Sequence, residues 1–223
     1  MKFIKKGESP DEFERWKAQD EPTSWSQLGS TLPSKKDEGL VYYSKNQLRT
    51  VLYNEQHGLC CYCNTKIDDD HKTTSIDHVE PRIGDKITKR IFEYNNLLLS
   101  CDRRIEKLNP KDYYCDPKKD VNPIDLTPLM SECETEIYFN ENGKINANTD
   151  RATRTISVLN LHHISLDIKR RAAIIPYLYS DVENDNPEEI LPADEIIQSF
   201  EMLQKNHHIE YWSAIVSVLR GYV

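Results

Sequence analysis

The sequence predicts an α+β fold in which a small metal-stapled unit sits inside a mainly helical chain that also carries one β-hairpin. Three observations lead there. Cys60 and Cys63 stand three positions apart, a spacing that points two thiolates at one centre, and Cys101 and Cys115 supply a second pair downstream. Asn142-Gly143 lies within the alternating stretch Glu136 to Asn146, which is a hairpin signal. From about Asp150 to the end, apolar residues recur at helical spacing.

The elements follow in order. After a short basic lead over residues 1–7, Ser9-Pro10-Asp11-Glu12 predicts a capped helix with Pro10 at its first position, running to about Gln19 with Phe13 and Trp16 on its core face. Residues 20–40 are rich in Pro, Ser, Thr, Gly and Asp and predict a solvated, irregular loop. Ser44-x-x-Gln47 is a capping box, and Leu48, Val51 and Leu52 continue a helix that Gly58 ends, delivering the chain into Cys60. Cys61 reads as a small buried filler and Cys133 as a reserve ligand whose expected fate is burial. The acidic stretch 64–72 predicts a hairpin tip with no role for His71, and Thr74 to Val79 a short strand. Beyond Asp150, a candidate cap, Ile156, Leu159, Leu161, Leu166, Ile168, Ile174 and Ile175 are expected to face the core, with Pro176 ending or kinking a helix. An acidic turn over 181–187, a helix opened by Pro192, and a last helix with Trp212, Ile215, Val216 and Leu219 complete the chain. The adjacent pairs His162-His163 and His207-His208 diverge on a helix and cannot converge on one metal.

Composition narrows the function. No basic-then-apolar leader and no membrane-length apolar run is present, and six cysteines without an export signal favour metal and free thiols over disulfides, so a cytoplasmic location is expected. The net charge is −8, which is unfavourable for binding a phosphate backbone. Residues 82–119, however, hold ten Lys or Arg against six Asp or Glu, a local net of +4 that leaves −12 for the remainder. A basic patch on an acidic body implies a partner that supplies much of the affinity for nucleic acid.

Asp77-His78 places a hard oxygen ligand beside an imidazole base, the pair that metal-assisted phosphodiester hydrolysis requires. Asn96, beside an apolar run, is suited to hydrogen-bonding the backbone of the loop that bears the histidine and so fixing its orientation. Cys60-x-x-Cys63, Asp77-His78-x-x-Pro81-Arg82, Asn96-Leu97-x-x-x-Cys101 and Cys115-Asp116-x-x-Lys119 together resemble the HNH endonuclease motif, a ββα-metal finger with a structural zinc. The lead Met1 to Lys6 and the segment Cys133 to Phe139 also resemble one branch of that superfamily, the HNH nuclease subunit of Septu anti-phage systems, which also accompanies some retrons.

The resemblance implies an endonuclease acting on DNA, or on RNA such as tRNA, under the control of an ATPase partner. It implies His78 as general base oriented by Asn96, Asp77 and Asp116 as ligands of catalytic Mg²⁺ or Mn²⁺, and Arg82 and Lys119 on phosphate. Zn²⁺ on Cys60, Cys63, Cys101 and Cys115 would be structural. Two departures stand out: thirteen residues separate Cys101 from Cys115 where the common motif has two, and Asp116 replaces the usual His or Asn. The alternative is a zinc-stabilised binding module with a vestigial site. The expected organisation is a nuclease unit over 1–125 and a hairpin-plus-helical region over 126–223 packed on it.

Overall fold

The β-branched, half-polar run Thr74–His78 forms β1, which pairs antiparallel with β2, Leu97–Cys101, in the register Thr74↔Cys101 to His78↔Leu97. Every residue of β2 is buried, so it is the inner strand, and its last residue is one of the cysteines. The computed structural model describes residues 1–29, 41–68, 72–82, 90–102, 104, 109–178, 197–198 and 209–222. The expected acidic turn at 181–187, the start of the helix at Pro192, His71 and His207-His208 lie outside these residues.

Two helices precede the strands. Helix α1, Asp11–Asp20, starts one residue later than expected: Pro10 takes the cap position and Ser9 makes no cap bond, while Asp11, Glu12 and Glu14 place negative charge on the positive end of the helix. Phe13 and Trp16 are buried and their rings stack. Helix α2, Lys45–Glu55, has the expected box, with the Gln47 N–H donating to Ser44 Oγ at 3.1 Å and the Ser44 N–H to Gln47 Oε1 at 2.9 Å. Gln56 then joins the cysteine turn to the sheet, donating to the Leu59 and Leu99 carbonyls and accepting from the Leu99 N–H.

Helices α3, Asp116–Lys119, and α4, Cys133–Glu136, are single turns. The hairpin is β3, Ile137–Phe139, with β4, Ile145–Ala147. Its turn is not the two-residue Asn-Gly type. The Asn140 N–H bonds the Lys144 carbonyl and the Gly143 N–H bonds the Asn140 carbonyl, leaving three loop residues with Gly143 last, at φ +75°. A Cβ on Gly143 would lie 2.3 Å from the Asp167 carbonyl oxygen and 2.6 Å from the Arg171 nitrogen, so the hairpin tip abuts the following helix too closely for any side chain. Gly143→Ala is therefore expected to cost about 3 kcal/mol, combining positive-φ strain with overpacking, read as a lowered urea midpoint. An unchanged midpoint would contradict the close approach.

Helix α5, Asp150–Val158, is capped by Thr149, whose Oγ accepts from the Ala152 N–H at 3.2 Å, and not by Asp150. Helix α6, Ile164–Leu178, continues through Pro176 and buries Leu166, Arg170 and Ile174. Ile168 and Ile175 are 63% and 40% exposed, contrary to expectation. The buried stripe repeats every four residues from Leu166, and Ile168 stands about 200° around the helix from it. Helix α7, Trp212–Leu219, buries the expected Trp212, Ile215, Val216 and Leu219.

The start of α7 closes over the cysteine turn. The Tyr211 N–H donates to the Asn64 carbonyl at 2.8 Å, Thr65 Oγ1 to Glu210 Oε1 at 2.7 Å, and Ser213 Oγ to Asn64 Oδ1 at 2.5 Å. One apolar core runs from Met1, Phe13 and Trp16 through β2 and the cysteines to α5 and α7, so residues on both sides of 125 share it. No helix among the described residues is long and apolar enough to cross a membrane.

Candidate metal centre and active site

Cys60, Cys63, Cys101 and Cys115 are all buried, and their sulfurs lie within 4.8 Å of one another. The turn after α2 supplies the first two, the end of β2 the third, and the residue before α3 the fourth, where Cys115 holds a positive φ of 61°. Sγ of Cys60 and Cys115 are 3.8 Å apart, as are those of Cys63 and Cys101. A regular tetrahedron with Zn–S of about 2.3 Å has edges of about 3.8 Å, whereas a disulfide would bring the sulfurs to about 2 Å. Four buried thiols at this spacing can hold a metal ion such as zinc. The Cys101 N–H points at Cys60 Sγ at 3.4 Å. Burial alone would raise the Cys60 thiol, yet hydrogen bonds from Cys101, Cys115, Cys61 and Cys63 hold it well below the usual range.

The thirteen residues between Cys101 and Cys115 do not keep the two apart. Cys61 is buried outside the cluster, with burial the first cause holding its thiol well above the usual range. Cys133 is buried elsewhere, its Sγ 3.7 Å from the Met1 carbonyl.

Alternation along β1 sends its residues to two sides. Ser75 and Asp77 meet α3: Ser75 Oγ donates to Asp116 Oδ2 at 2.6 Å, and Lys119 Nζ donates to Asp77 Oδ1 and Oδ2 at 2.9 and 3.0 Å. The same ammonium donates to the His78 carbonyl at 2.6 Å, which uses all three of its protons. Tyr62 donates its hydroxyl to Asp77 Oδ2. Burial first, and Asp116 second, push the Asp77 carboxyl up to about 7 against the pull of Lys119 and Tyr62.

This corrects the expectation for Lys119. The side chain is wholly buried as the counter-ion of Asp77, so it is not available to phosphate. The reason is geometric: the single turn of α3 lies beneath β1 and turns its last residue inward. Asp116, with its side chain 17% exposed, faces Ser75 on one side and Arg104 at 3.8 Å on the other.

His78 points to the opposite side of β1. Its Nε2 is 3.0 Å from the Ile91 carbonyl oxygen, which can only accept, so in the neutral ring Nε2 carries the proton and Nδ1 the lone pair. Burial first, and Arg82 second, push the imidazole down to about 4, which keeps it neutral near pH 7. Asn96 is buried and ties down the loop after His78: its Oδ1 accepts from the Glu80 N–H at 2.8 Å, and its Nδ2 donates to the Glu80 and Arg90 carbonyls at 3.2 and 3.3 Å. Arg82 is exposed, its guanidinium 6.0 Å from the centre of the Trp25 ring.

Trp25 is the residue that sequence reasoning passed over. It opens a 3-10 turn, Trp25–Gln27, inside the stretch expected to be a solvated loop. Its ring meets His78 edge-on with centroids 4.5 Å apart and stacks on Phe92 at 5.7 Å; Phe92 in turn meets Trp16 at 5.4 Å. A line of rings thus leads from α1 to the imidazole. One signal was available: Ser24-x-x-Gln27 is a capping box, with the Ser24 N–H on Gln27 Oε1 at 2.7 Å.

No protein-family model matches this chain, and no curated protein matches it.

Proposed function

We propose that the protein is a metal-dependent endonuclease of the HNH type that hydrolyses phosphodiester bonds in nucleic acid, with a structural zinc on Cys60, Cys63, Cys101 and Cys115. The observation that carries the reading is the setting of His78. Its Nε2–H is anchored on the Ile91 carbonyl, which leaves the lone pair on Nδ1, so Nδ1 is the atom that would take a proton from water. Asn96 holds the loop that follows, and exposed Arg82 is placed to meet phosphate.

Asp77 and Asp116 face each other closely enough that Asp116 is the second cause of the raised Asp77 pKa. Two neighbouring carboxylates on the α3 side of β1 are a donor set that would hold Mg²⁺ or Mn²⁺ and supply charge stabilisation for the phosphoryl oxygens. The His78 ring is on the other face, so one phosphate would meet both only around the end of the strand, at His78. Lys119 fixes Asp77 and the His78 carbonyl from below, and so positions both without touching substrate. The likeness to Septu subunits supports a cytoplasmic effector of anti-phage defence governed by an ATPase partner. DNA is the favoured substrate, with RNA as the other outcome.

A second reading draws on burial. Asp77 and His78 are each only 4% exposed, which suits a zinc-stabilised binding module with a closed, vestigial site. The deciding experiment incubates plasmid DNA and total tRNA with purified protein and Mg²⁺ or Mn²⁺, alone and with its genomic neighbour, beside His78→Ala. Cleavage that falls by about 10²–10⁴-fold in the variant is expected. Binding without cleavage under every condition would favour the module.

A further inference from the structure

Beside His78 lies a patch that shares Arg82 with the hydrolytic site and extends beyond it. The Trp25 ring, partly exposed, has Lys45 Nζ 5.8 Å and the Arg82 guanidinium 6.0 Å from its centre. Lys45 occupies the first position of α2, where the helix dipole disfavours a cation. Burial, Arg82 and Arg49, in that order, depress its pKa. Among the described residues no carboxylate pairs with Lys45 or Arg82, in a chain that carries eight more negative than positive charges. An incoming polyanion relieves the repulsion between cations held this close.

An aromatic ring with flanking cations is the arrangement that binds single-stranded nucleic acid, in which bases stack on the ring and phosphates take the cations. We propose that Trp25, Lys45 and Arg82 form a subsite for an unpaired nucleotide next to the scissile phosphate. The base stacks on Trp25 while Lys45 and Arg82, on long side chains that now cover the ring, swing to the phosphates on either side. The proposal rests on the nuclease reading and narrows it, because a base inside a duplex cannot stack on a side chain. The substrate is therefore a single strand, a loop or a locally opened duplex.

The test measures binding of labelled oligonucleotides, single-stranded and duplex, to full-length His78→Ala protein in magnesium-free buffer, alone and with Trp25→Ala, Trp25→Phe, Lys45→Ala or Arg82→Ala added. Trp25→Ala is expected to weaken single-strand binding about tenfold and Trp25→Phe much less, with duplex binding weaker than single-strand binding throughout. Each cation variant is expected to lower the slope of log affinity against log salt by about one. Trp16 and Trp212 are buried, so bound single strand should also quench the Trp25 emission. Affinities that ignore Trp25, where the protein with His78 restored cleaves nucleic acid in magnesium, overturn this subsite alone. A protein that binds no nucleic acid at all, alone or with its genomic neighbour, overturns the nuclease reading with it.

Discussion

Stripping metal from the four-cysteine centre is expected to lower the melting temperature by about 10–20 °C and to weaken the near-ultraviolet dichroism of the buried tyrosines. Structural zinc contributes about 10–16 kcal/mol to the folding of small finger domains. This chain has a wider core that retains part of its packing, so a loss of about 5 kcal/mol is the expected net effect, and each kcal/mol moves the transition about 2–4 °C at this size. The four thiols are fully enclosed, and they join the turn after α2, the end of β2 and the start of α3. Without an ion nothing offsets the crowding of four polar sulfurs, and the ends of three segments come apart together. Cys101→Ser should reproduce the effect, whereas Cys61→Ser should keep full metal content and cost about 1 kcal/mol. Calorimetry beside elemental analysis decides it: a metal-free protein that melts at the wild-type temperature would show that the cysteines are core filler.

The cysteine centre was legible in the sequence because ligand spacing is local for Cys60 and Cys63, and because a loop of thirteen residues closes at small entropic cost between Cys101 and Cys115. The box at Ser44 and the strand bearing Asp77 were legible for the same reason. Lys119 was not, since its partner lies 42 positions away and an isolated lysine reads as solvated. Trp25 was hidden by a loop-like composition around it, and its stacking partner Phe92, which in turn meets Trp16, lies 67 positions away (92 − 25). Ile168 and Ile175 misled because α6 places Arg170 in its inward stripe, a residue that apolar periodicity does not count. Its guanidinium is held there by the Leu161 carbonyl at 2.9 Å and the Phe139 ring at 5.1 Å. Local patterns are read from the sequence; contacts between distant polar groups are made only by the fold.

Lys119→Met is expected to destabilise the protein by about 3–5 kcal/mol at pH 8, since it leaves Asp77 as an unpaired buried charge beside Asp116. The pH dependence carries the proof. Asp77 titrates at about 7 in the folded protein, raised from 3.8, so the folded state holds its proton more tightly than the unfolded chain. The stability this proton confers is therefore complete below pH about 4 and is lost as pH rises through 7. Removing Lys119 takes away the main charge that favours the carboxylate, so the folded value climbs further and the loss extends to higher pH. At pH 5 Asp77 is neutral in both proteins, Lys119 has no anion to face, and the gap should close or reverse. Urea midpoints of wild type and variant from pH 5 to 8.5 in magnesium-free buffer measure this directly, and adding Asp77→Asn to Lys119→Met should recover stability at pH 8. A gap of constant size across that range would mean that Lys119 contributes only its packing, and that the charge on Asp77 is held by other groups.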